Sequence, residues 1–388
     1  MKDLPHTPVY LESDERTERS SRATELWNLL KRNRLAFFGL FIFIFFFIIA
    51  LTGLILTSGS KPIFDPAMVR LQEKLRPPLS VPDYDLLSTD QIPPLGMYLL
   101  GTDDLGRDVF SRMLQGAWVS LTVGFVAVGI SVVIGIIFGG IAGYWGHCRL
   151  RVNHLLSISS LLAGLILILM NLTVPGITIL ILGSCYLLYC INVGIPRVTA
   201  LTHPLTRLLF IETISMDTLI MRFVDIMLCF PSFFLILTVV ALLPASIYNI
   251  MIVIGLTSWM GTTRFVRAEI LSLREQDFVT AARALGLSGG RIIVRHIIPN
   301  AIAPVLVSAT IGIASAILTE AGLSFLGFGV PPPHATWGNI LSDGKGFIFD
   351  APWLTFVPGF SILTVVLSFN LFGEGLRDIL NPRLRERY

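Results

Sequence analysis

The sequence TAARALGLSGGRIIVRHIIPN, residues 280–300, is a small-residue stretch dotted with arginines between two strongly apolar regions. Ala281 and Ala282 predict a helix face of low relief that another protein can approach closely. Gly286 predicts a turn, because only glycine adopts positive φ freely. Pro299 marks the expected return of the chain to the membrane. The stretch is therefore predicted to be a short helical element outside the membrane, and its flanks decide the fold that carries it.

The composition indicates a membrane protein. Of 388 residues, 53% are hydrophobic and only 14% are charged, whereas a soluble domain carries about 25% charged residues. The mean hydropathy is +0.74. Because a backbone inside lipid must satisfy its own hydrogen bonds, we expect an all-α, polytopic helix bundle. The net charge of +3 is too small to indicate a nucleic-acid partner.

Apolar runs long enough to approach or cross a hydrocarbon core predict about eight membrane segments. They are Leu35–Thr57, Val119–Tyr144, Leu155–Met170, Ile177–Val193, Phe223–Leu243, Ile247–Met260, Ala301–Thr319 and Leu354–Phe372. The first run is too long for a signal-peptide core and is interpreted as an uncleaved span. The third and fourth runs are short, so they form either a spanning pair or a re-entrant hairpin. Their turn is predicted at Pro175–Gly176.

The distribution of Lys and Arg predicts the sidedness. Residues 264–296 carry six Arg against three acidic residues. If the N-terminus is cytoplasmic, every basic segment falls on the cytoplasmic side and both long polar loops fall outside. We therefore expect a multi-pass membrane protein with cytoplasmic termini and with residues 280–300 in the cytoplasm.

Three interpretations of residues 280–300 compete. A helix-turn-helix that binds DNA has the same Gly-turned corner, but both flanks enter the membrane within about twenty residues, which leaves no domain to bury the motif. An amphipathic helix resting at the lipid headgroups is a stronger alternative. The third interpretation is a docking element for a cytoplasmic protein.

At this point the stretch resembles a known motif. It is similar to the coupling loop, or "EAA" motif, of permease subunits in binding-protein-dependent ABC importers. Ala281, Ala282, Gly286 and Pro299 match the motif, while Thr280 stands where Glu is usual. His296 also departs from the general pattern, where Ile is usual, in a way that suits the peptide-transport branch.

Four further stretches resemble "C"-type permease subunits for oligopeptides, dipeptides and nickel. They are LLGTDDLGRDVFSRMLQGAWVSLTVG (99–124), MRFVDIMLCFPSFFLIL (221–237), AGLSFLGFGVPPPHATWGNIL (321–341) and NLFGEGLRDILNPR (370–383). The resemblance implies six family-like spans plus an inserted hairpin, because residues 147–215 match no part of the family pattern.

The expected organisation follows from the spans and the resemblance together. The expected regions are a cytoplasmic N-terminal segment (1–34), a first span (35–57), an external loop region (58–117), a transmembrane permease domain (118–380) and a cytoplasmic tail (381–388). Within the permease domain we expect an apolar hairpin at about 155–195 and a coupling loop at about 264–300.

The resemblance also implies site residues. An ATPase-coupling role is implied for Thr280, Ala281, Ala282, Gly286, Arg291, His296, Pro299 and Asn300. A role in shaping the outer mouth or gate is implied for Gly101, Asp103, Gly106, Arg107 and Asp108. Read on the residues alone, the same GTDDLGRD stretch is a turn in which Asp103 or Asp104 caps the following helix.

Polar residues within or beside the spans are few. Arg222 and Asp225 stand three apart and share a helix face, where they form an ion pair, a snorkelling contact or part of a subunit interface. Glu320 is expected at the outer end of its span, where interfacial water would solvate it. The spans are otherwise almost free of charge at their centres, which argues against the alternative function of a self-contained secondary transporter or channel.

No catalytic constellation is visible. GNILSDGKG (338–346) differs from a phosphate-binding loop by one extra residue between its first glycines and by Gly346 in place of Ser or Thr, and it is interpreted as a turn-rich surface loop. The chain is expected to bind no cofactor and no metal. The resemblance implies ATP and magnesium in two cytoplasmic ATPase partners, a second homologous permease subunit, an external solute-binding protein and membrane lipid around the chain.

Overall fold

The computed structural model describes residues 29–59, 61–169, 172–192 and 212–380. The principal helices in these residues are α1 (Arg34–Thr57), α2 (Val109–Tyr144), α3 (Val152–Leu169), α4 (Thr173–Asn192), α5 (Met216–Leu228), α6 (Ser232–Leu242), α7 (Ile247–Leu273), α8 (Asp277–Ala284), α9 (Gly289–Phe325), α10 (Trp337–Gly344) and α11 (Trp353–Leu380). Two short strands, β1 (Arg149–Arg151) and β2 (Glu212–Ser215), pair antiparallel. The predicted all-α membrane bundle is confirmed.

In this described part of the chain, α1, α2, α9 and α11 are each long and apolar enough to cross a membrane, and the bent pair α5–α6 is a fifth candidate. The other three predicted segments correspond to α3, α4 and α7, which are helical throughout their described lengths. Among the described residues, the largest buried cluster is formed mainly by α2, α7, α9, α10 and α11, with contributions from α1 and α6.

Several helix ends differ from the predicted span ends. Helix α2 begins at Val109, so the last residues of the expected external region 58–117 are helical. Helix α7 continues beyond Met260 to Leu273, and α9 begins at Gly289, well before Ala301. The physical reason is that hydropathy marks the hydrocarbon crossing, whereas helical hydrogen bonding continues into the polar layer on either side.

The predicted span Phe223–Leu243 is not one straight helix. Helices α5 and α6 meet at an angle of 79°, and Pro231 lies at the junction. Proline has no N–H to donate, and it disfavours helical geometry at the preceding residue. The break therefore has a local cause in the sequence, which the hydropathy pattern did not reveal.

Helix α2 packs along α7 through small residues. A Cβ atom added at Gly135 would lie 2.5 Å from Thr262 Cγ2, and one added at Gly139 would lie 2.8 Å from the Thr263 carbonyl oxygen. Gly143 continues this row four residues on, against Ile270. The absence of side chains at these positions therefore permits the close approach of α2 and α7.

The region between α1 and α2 is folded around buried polar groups. The Glu73 carboxylate is fully buried and binds Arg76 Nε at 2.7 Å. Thr102 Oγ1 donates to the Glu73 carbonyl oxygen, and the Trp353 indole N–H donates to the Thr102 carbonyl at 3.2 Å. Burial raises the pKa of Tyr98 in the same region to about 12. These contacts attach the loop region to the start of α11.

The segment expected to be an insertion holds a helical hairpin, α3 and α4, beside the two paired strands β1 and β2. Its helices α3 and α4 cross where Gly164 and Gly176 meet, since a Cβ at Gly176 would lie 2.8 Å from the Gly164 carbonyl oxygen. The predicted turn at Pro175–Gly176 was wrong, because both residues lie in the first turns of α4, where a missing proline N–H costs no helical bond. Helix α3 ends at Leu169 and α4 already begins at Thr173.

The stretch 338–346 was predicted to be a surface loop, and this was also wrong. Thr336 caps helix α10 by accepting a hydrogen bond from the Asn339 backbone N–H, and the Asn339 side chain accepts one from the Thr336 N–H. Trp337 and Ile340 are buried against α2 and α9. The turn-forming residues Asp343 and Gly344 end this helix.

Candidate functional site

Helix α8 forms the centre of the predicted coupling loop. Its inner side is buried, with Val279 and Ala282 packed in an apolar cluster that includes Ile270, Ile292 and Ile293. Ala282 was predicted to belong to a docking face together with Ala281; instead it points into this cluster and is only 4% exposed. The helix is thus fixed from below by α7 and the start of α9.

The outer side of α8 is open. Thr280 and Ala281 are exposed, and Leu285 at the helix end is 81% exposed. Such an exposed leucine provides apolar surface that a partner can cover. We refer to residues 274–300, which hold this face and its supports, as the α8 segment.

Gly286 ends α8 with the hydrogen bonds of a Schellman motif. Its N–H donates to the Arg283 carbonyl at 2.9 Å, and the Leu287 N–H donates to the Ala282 carbonyl at 3.2 Å. The φ angle of Gly286 is +75°. A Cβ atom there would meet nothing within 4 Å, so the requirement for glycine comes from the backbone angle and not from space. The predicted turn is confirmed.

Pro299 does not mark a break in the chain. It lies inside the continuous helix α9, just after a π-helical turn at Ile293–Ile297. The Ile298 N–H donates to the Ile293 carbonyl, five residues back, and the Asn300 side-chain amide donates to the His296 carbonyl at 2.6 Å. The wider turn makes room for the proline ring, which would clash with a carbonyl in a regular helix.

The remaining predicted coupling residues lie on the first turns of α9. Arg291, Pro299 and Asn300 are exposed and His296 is half-buried. They therefore continue the open surface of the α8 segment along the same end of the bundle.

Tyr144 connects the α8 segment to the end of α2. The Arg283 guanidinium lies 5.5 Å from the centre of the Tyr144 ring, a cation–π geometry. Gly289 packs against the same ring, because an added Cβ there would be 3.0 Å from Tyr144 Cε1. Arg274 donates from Nη1 to the Gly143 carbonyl at 3.0 Å. These contacts connect the α8 segment directly to the end of α2.

A second site lies at the opposite end of α2. The Asp103 carboxylate is fully buried and accepts from the Arg107 Nε at 2.7 Å and from Arg112 Nη1 at 2.5 Å. Arg112, itself only 3% exposed, also binds Asp343 of α10 at 2.8 Å, and Arg107 reaches the same carboxylate at 3.2 Å. We call these four residues the Asp103 cluster. It joins the loop, α2 and α10 in one compensated network.

The backbone around the Asp103 cluster is held by turns. Gly101 and Gly106 have φ angles of +77° and +71°. The side chain of Asp103 accepts hydrogen bonds from the backbone N–H groups of Leu105 and Arg107 at 2.9 and 2.8 Å. A Cβ at Gly106 would clash with the Arg70 carbonyl oxygen.

The helix cap at this end is Asp108. Its carboxylate accepts hydrogen bonds from the Phe110 and Ser111 N–H groups at 3.2 and 3.1 Å, so the prediction that Asp103 or Asp104 caps the helix was wrong. Burial raises the pKa of Asp108. Burial and the charges of Asp103 and Asp343 likewise raise the pKa of Asp104. Asp104, Arg107 and Asp343 line an open pocket of about 290 Å³.

The two sites are far apart. Helix α2 contains 36 residues, and a rise of 1.5 Å per residue makes it about 54 Å long. The Asp103 cluster lies at the first turn of α2, and Tyr144 is the last residue of α2. The two sites therefore lie at opposite ends of the bundle.

Comparison with known proteins identifies families and relatives that this chain resembles. Residues 214–386 match a family described as the inner membrane component of binding-protein-dependent transport systems. Residues 21–78 match the N-terminal transmembrane domain of oligopeptide transport permease C. The dipeptide transport system permease protein DppC of Alkalihalophilus pseudofirmus is 36% identical over 361 residues, which cover 93% of this chain and 90% of the relative.

The chain belongs to this permease family. It is a "C"-type permease of the oligopeptide and dipeptide class of ABC importers. The DppC protein of Haemophilus influenzae is 32% identical over 93% of the chain and 95% of the relative. The oligopeptide permease OppC of Bacillus subtilis is 29% identical over the full length of both. The resemblance noted in the sequence is confirmed, and the permease is a multi-pass inner-membrane protein.

Within the permease, Glu320 is placed differently from the expectation. It is fully buried, not solvated at an interface. Ser324 Oγ donates to one carboxylate oxygen at 2.7 Å, and Ser120 Oγ of α2 approaches the other at 3.4 Å. The short helix α10 covers this position, with the Trp337 N–H donating to Ser120 Oγ at 3.3 Å.

The permease residues Arg222 and Asp225 do share a helix face, but their contact is loose. The charged atoms are 4.0 Å apart and the Arg222 side chain is 77% exposed. The closer partner of Asp225 is Arg264 of α7, at 2.5 Å. A parallel ion pair joins Asp217 to Arg267. These two bridges fasten α5 to α7.

Sequence reasoning missed Tyr144, Arg112, Asp343 and Arg264. Arg112 and Arg264 carried a usable signal, because each is a charged residue close to an apolar run. The aromatic ring of Tyr144 at a span end is common in membrane proteins and therefore carried little information. Asp343 carried no local signal in the permease sequence.

Proposed function

We propose that this permease is one of two membrane subunits of an ATP-driven peptide importer and that it receives its driving force at the α8 segment. Its partners in this proposal are a second homologous permease, two cytoplasmic ATPases that bind ATP and magnesium, and an external solute-binding protein. The chain itself is non-catalytic and contributes half of the translocation path.

The observation that carries the proposal is the two-sided construction of α8. Leu285 and Ala281 are open to a partner, while Val279 and Ala282 anchor the helix to α7 and α9. A force applied to the open side must therefore move the bundle helices, because packed apolar side chains resist compression. The contact between Arg283 and Tyr144 extends the same path to α2.

The sidedness is part of the proposal. Six arginines against three acids in residues 264–296 favour the cytoplasm for the α8 segment. The Asp103 cluster, at the other end of α2, then faces outward, and Gly101, Asp103, Gly106, Arg107 and Asp108 shape the outer mouth beneath the binding protein. Both termini are cytoplasmic.

The inserted hairpin is proposed to be an accessory membrane pair outside the translocation path. Its helices α3 and α4 pack mainly against each other, residues 155–196 carry no charge, and apolar side chains such as Leu182 are exposed. A cysteine introduced at Leu172, directly before α4, should react with an impermeant reagent added from outside. Reaction only after permeabilisation would show a re-entrant hairpin instead.

The coupling proposal is tested by reconstitution. The purified chain should hydrolyse no ATP, and hydrolysis stimulated by peptide and binding protein should appear with the ATPase subunits. Leu285→Asp should strongly reduce co-purification of the ATPases, because it places a charge on the proposed contact. Val81→Asp, at another exposed apolar side chain in the region between α1 and α2, is the matched control and should have no effect.

Two outcomes would contradict this function. Robust hydrolysis by the isolated chain would end the proposal of a non-catalytic subunit. Peptide uptake by vesicles that contain the chain alone, driven by an ion gradient, would favour the alternative of a secondary transporter.

A further inference from the structure

At the base of the hairpin lies an open pocket to which the transport proposal gives no role. Strand β1 follows the end of α2 and leads directly into α3, while β2 leads directly into α5. The ladder pairs Arg149 with Ser215. Between this ladder and the end of α7 lies a pocket of about 240 Å³, lined by Gly146, His147, Arg149, Ser215, Asp217 and Arg274 among others. We call it the basal pocket.

The charge of the basal pocket is positive on balance. Asp217 is already bound by Arg267 through two hydrogen bonds, one of them from Nη2 at 2.5 Å. Arg274 binds Glu275 at 2.9 Å, but the side chain of Glu275 is 70% exposed and its charge is screened by water. The Arg149 side chain forms no hydrogen bond or ion pair with any residue in the described part of the chain. Its guanidinium is thus an unused donor at the pocket.

The residues next to the basal pocket in the chain indicate its position relative to the membrane. Helix α3 begins at Val152, directly after β1, and the residues from 155 onward are uncharged and apolar. Trp145, which is 38% exposed, stands at the end of α2. Exposed tryptophans and arginines at the ends of apolar helices lie at the level of lipid headgroups. The pocket therefore opens where the hydrocarbon region ends.

We propose that the basal pocket binds the phosphodiester headgroup of an anionic phospholipid. Arg149 and Arg274 provide guanidinium donors suited to phosphate oxygens, and His147 and Ser215 offer further donors. Basic pockets between membrane helices on the cytoplasmic side bind such headgroups in general. The lipid would hold the hairpin base against the α2–α7 pair, beside the α8 segment.

The assignment of this lipid to the cytoplasmic leaflet rests on the sidedness proposed above, whereas the binding chemistry does not. Binding can be measured with no ATPase and no peptide present. Failure of the transport proposal and failure of this one are therefore distinguishable.

Native mass spectrometry of the detergent-purified full chain tests the proposal with defined lipids. Phosphatidylglycerol should bind more tightly than phosphatidylcholine. Arg149→Gln should weaken phosphatidylglycerol binding about fivefold, the effect of one cationic contact at a membrane surface. Arg149→Lys should retain most of the binding because it keeps the charge. Arg295→Gln, which removes an exposed arginine of α9 outside the pocket, is the matched control and should change nothing.

Three results would overturn the proposal. The first is unchanged phosphatidylglycerol affinity in Arg149→Gln with an unchanged melting temperature. The second is equal affinity for phosphatidylcholine. The third is displacement of the lipid by inorganic phosphate at an equal concentration, which would identify a site for free phosphate. If Arg149→Gln melts early, the lipid preference of the unmodified chain and of Arg149→Lys decides the question.

Discussion

The Asp103 cluster and the α8 segment stand at the two ends of α2 and are held in place by different forces. In the cluster, two carboxylates and two guanidinium groups form a network in which Asp103 and Arg112 are almost completely removed from water. In the α8 segment, apolar side chains such as Val279, Ala282 and Ile292 are buried together, and no buried ion pair is described among residues 274–300. The Asp103 cluster is held together mainly by buried ion pairs, and the α8 segment mainly by packed apolar side chains.

The two kinds of contact respond differently when the groups that form them move apart. A buried ion pair is lost almost completely when one partner moves, because the remaining charge is left without water or a counter-ion. An apolar contact weakens gradually with the area that separates. The Asp103 cluster therefore fixes the loop on α2 and α10 in one geometry, whereas the apolar contacts of the α8 segment with α7 and α9 survive small displacements.

Removing the buried charge at the cluster should have the largest effect. Asp103→Asn keeps the side-chain oxygen that holds the turn but leaves Arg112 buried beside a neutral group. We expect a loss of about 3 kcal/mol in the free energy of unfolding, the lower range for breaking a buried pair. Thermal denaturation in detergent measures it. Asp85→Asn, at an exposed acid of the same region, should lose less than about 0.5 kcal/mol; equal melting of the two variants would refute the importance of the cluster.

The next effect concerns the end of α8. Gly286→Ala forces a side chain into positive φ and should cost roughly 1–2 kcal/mol of local stability. We expect weaker ATPase association and slower coupled hydrolysis, while insertion into the membrane persists. The control is Gly290→Ala, where an added Cβ also meets nothing within 4 Å but φ is not positive. If the two variants behave alike, the backbone angle at Gly286 plays no part in coupling.

A smaller effect is expected at the contact between the α8 segment and α2. Tyr144→Leu removes the ring that Arg283 covers and should cost about 0.5–1 kcal/mol. A double-mutant cycle with Arg283→Gln isolates this interaction in thermal denaturation. Additive effects of the two substitutions would mean that the ring and the guanidinium do not interact, and the proposed path from α8 to α2 would lose its first step.

The smallest effect concerns the dependence of stability on pH at the capped end of α2. Because burial raises the pKa of Asp108 above its ordinary value of 3.8, the folded state holds this proton more tightly than the unfolded state. Stability from this group therefore falls as pH rises from 3.8 through the folded pKa. Asp108→Asn keeps an equally good cap and removes the dependence. The melting difference between variant and unmodified chain should shift in favour of the variant as pH rises; a constant difference would contradict the raised pKa.

The sequence predicted the local structure of the α8 segment better than that of the Asp103 cluster. Gly286 could be assigned because its requirement is local: the backbone angle of one residue ends one helix. Ala282 was misassigned because an alanine on a short amphipathic helix fits either side, and only its contacts with α7 and α9 decide which. Asp103 was identified as important through resemblance, but its role as a cap was wrong, since Asp108 occupies the position from which a carboxylate reaches the first free N–H groups.

The sequence alone determined the membrane class, the helical nature of each apolar run and the family, because hydrophobic transfer and backbone hydrogen bonding act on consecutive residues. The tertiary structure decided where helices bend and continue, that Glu320 is buried, and that Arg112 meets Asp343. Arg112 and Asp343 are distant in the chain, and neither carries a local sign of the other. Their pairing exists only because α10 folds back over the first turn of α2, and the cost of leaving either charge unpaired inside the protein then makes that arrangement specific.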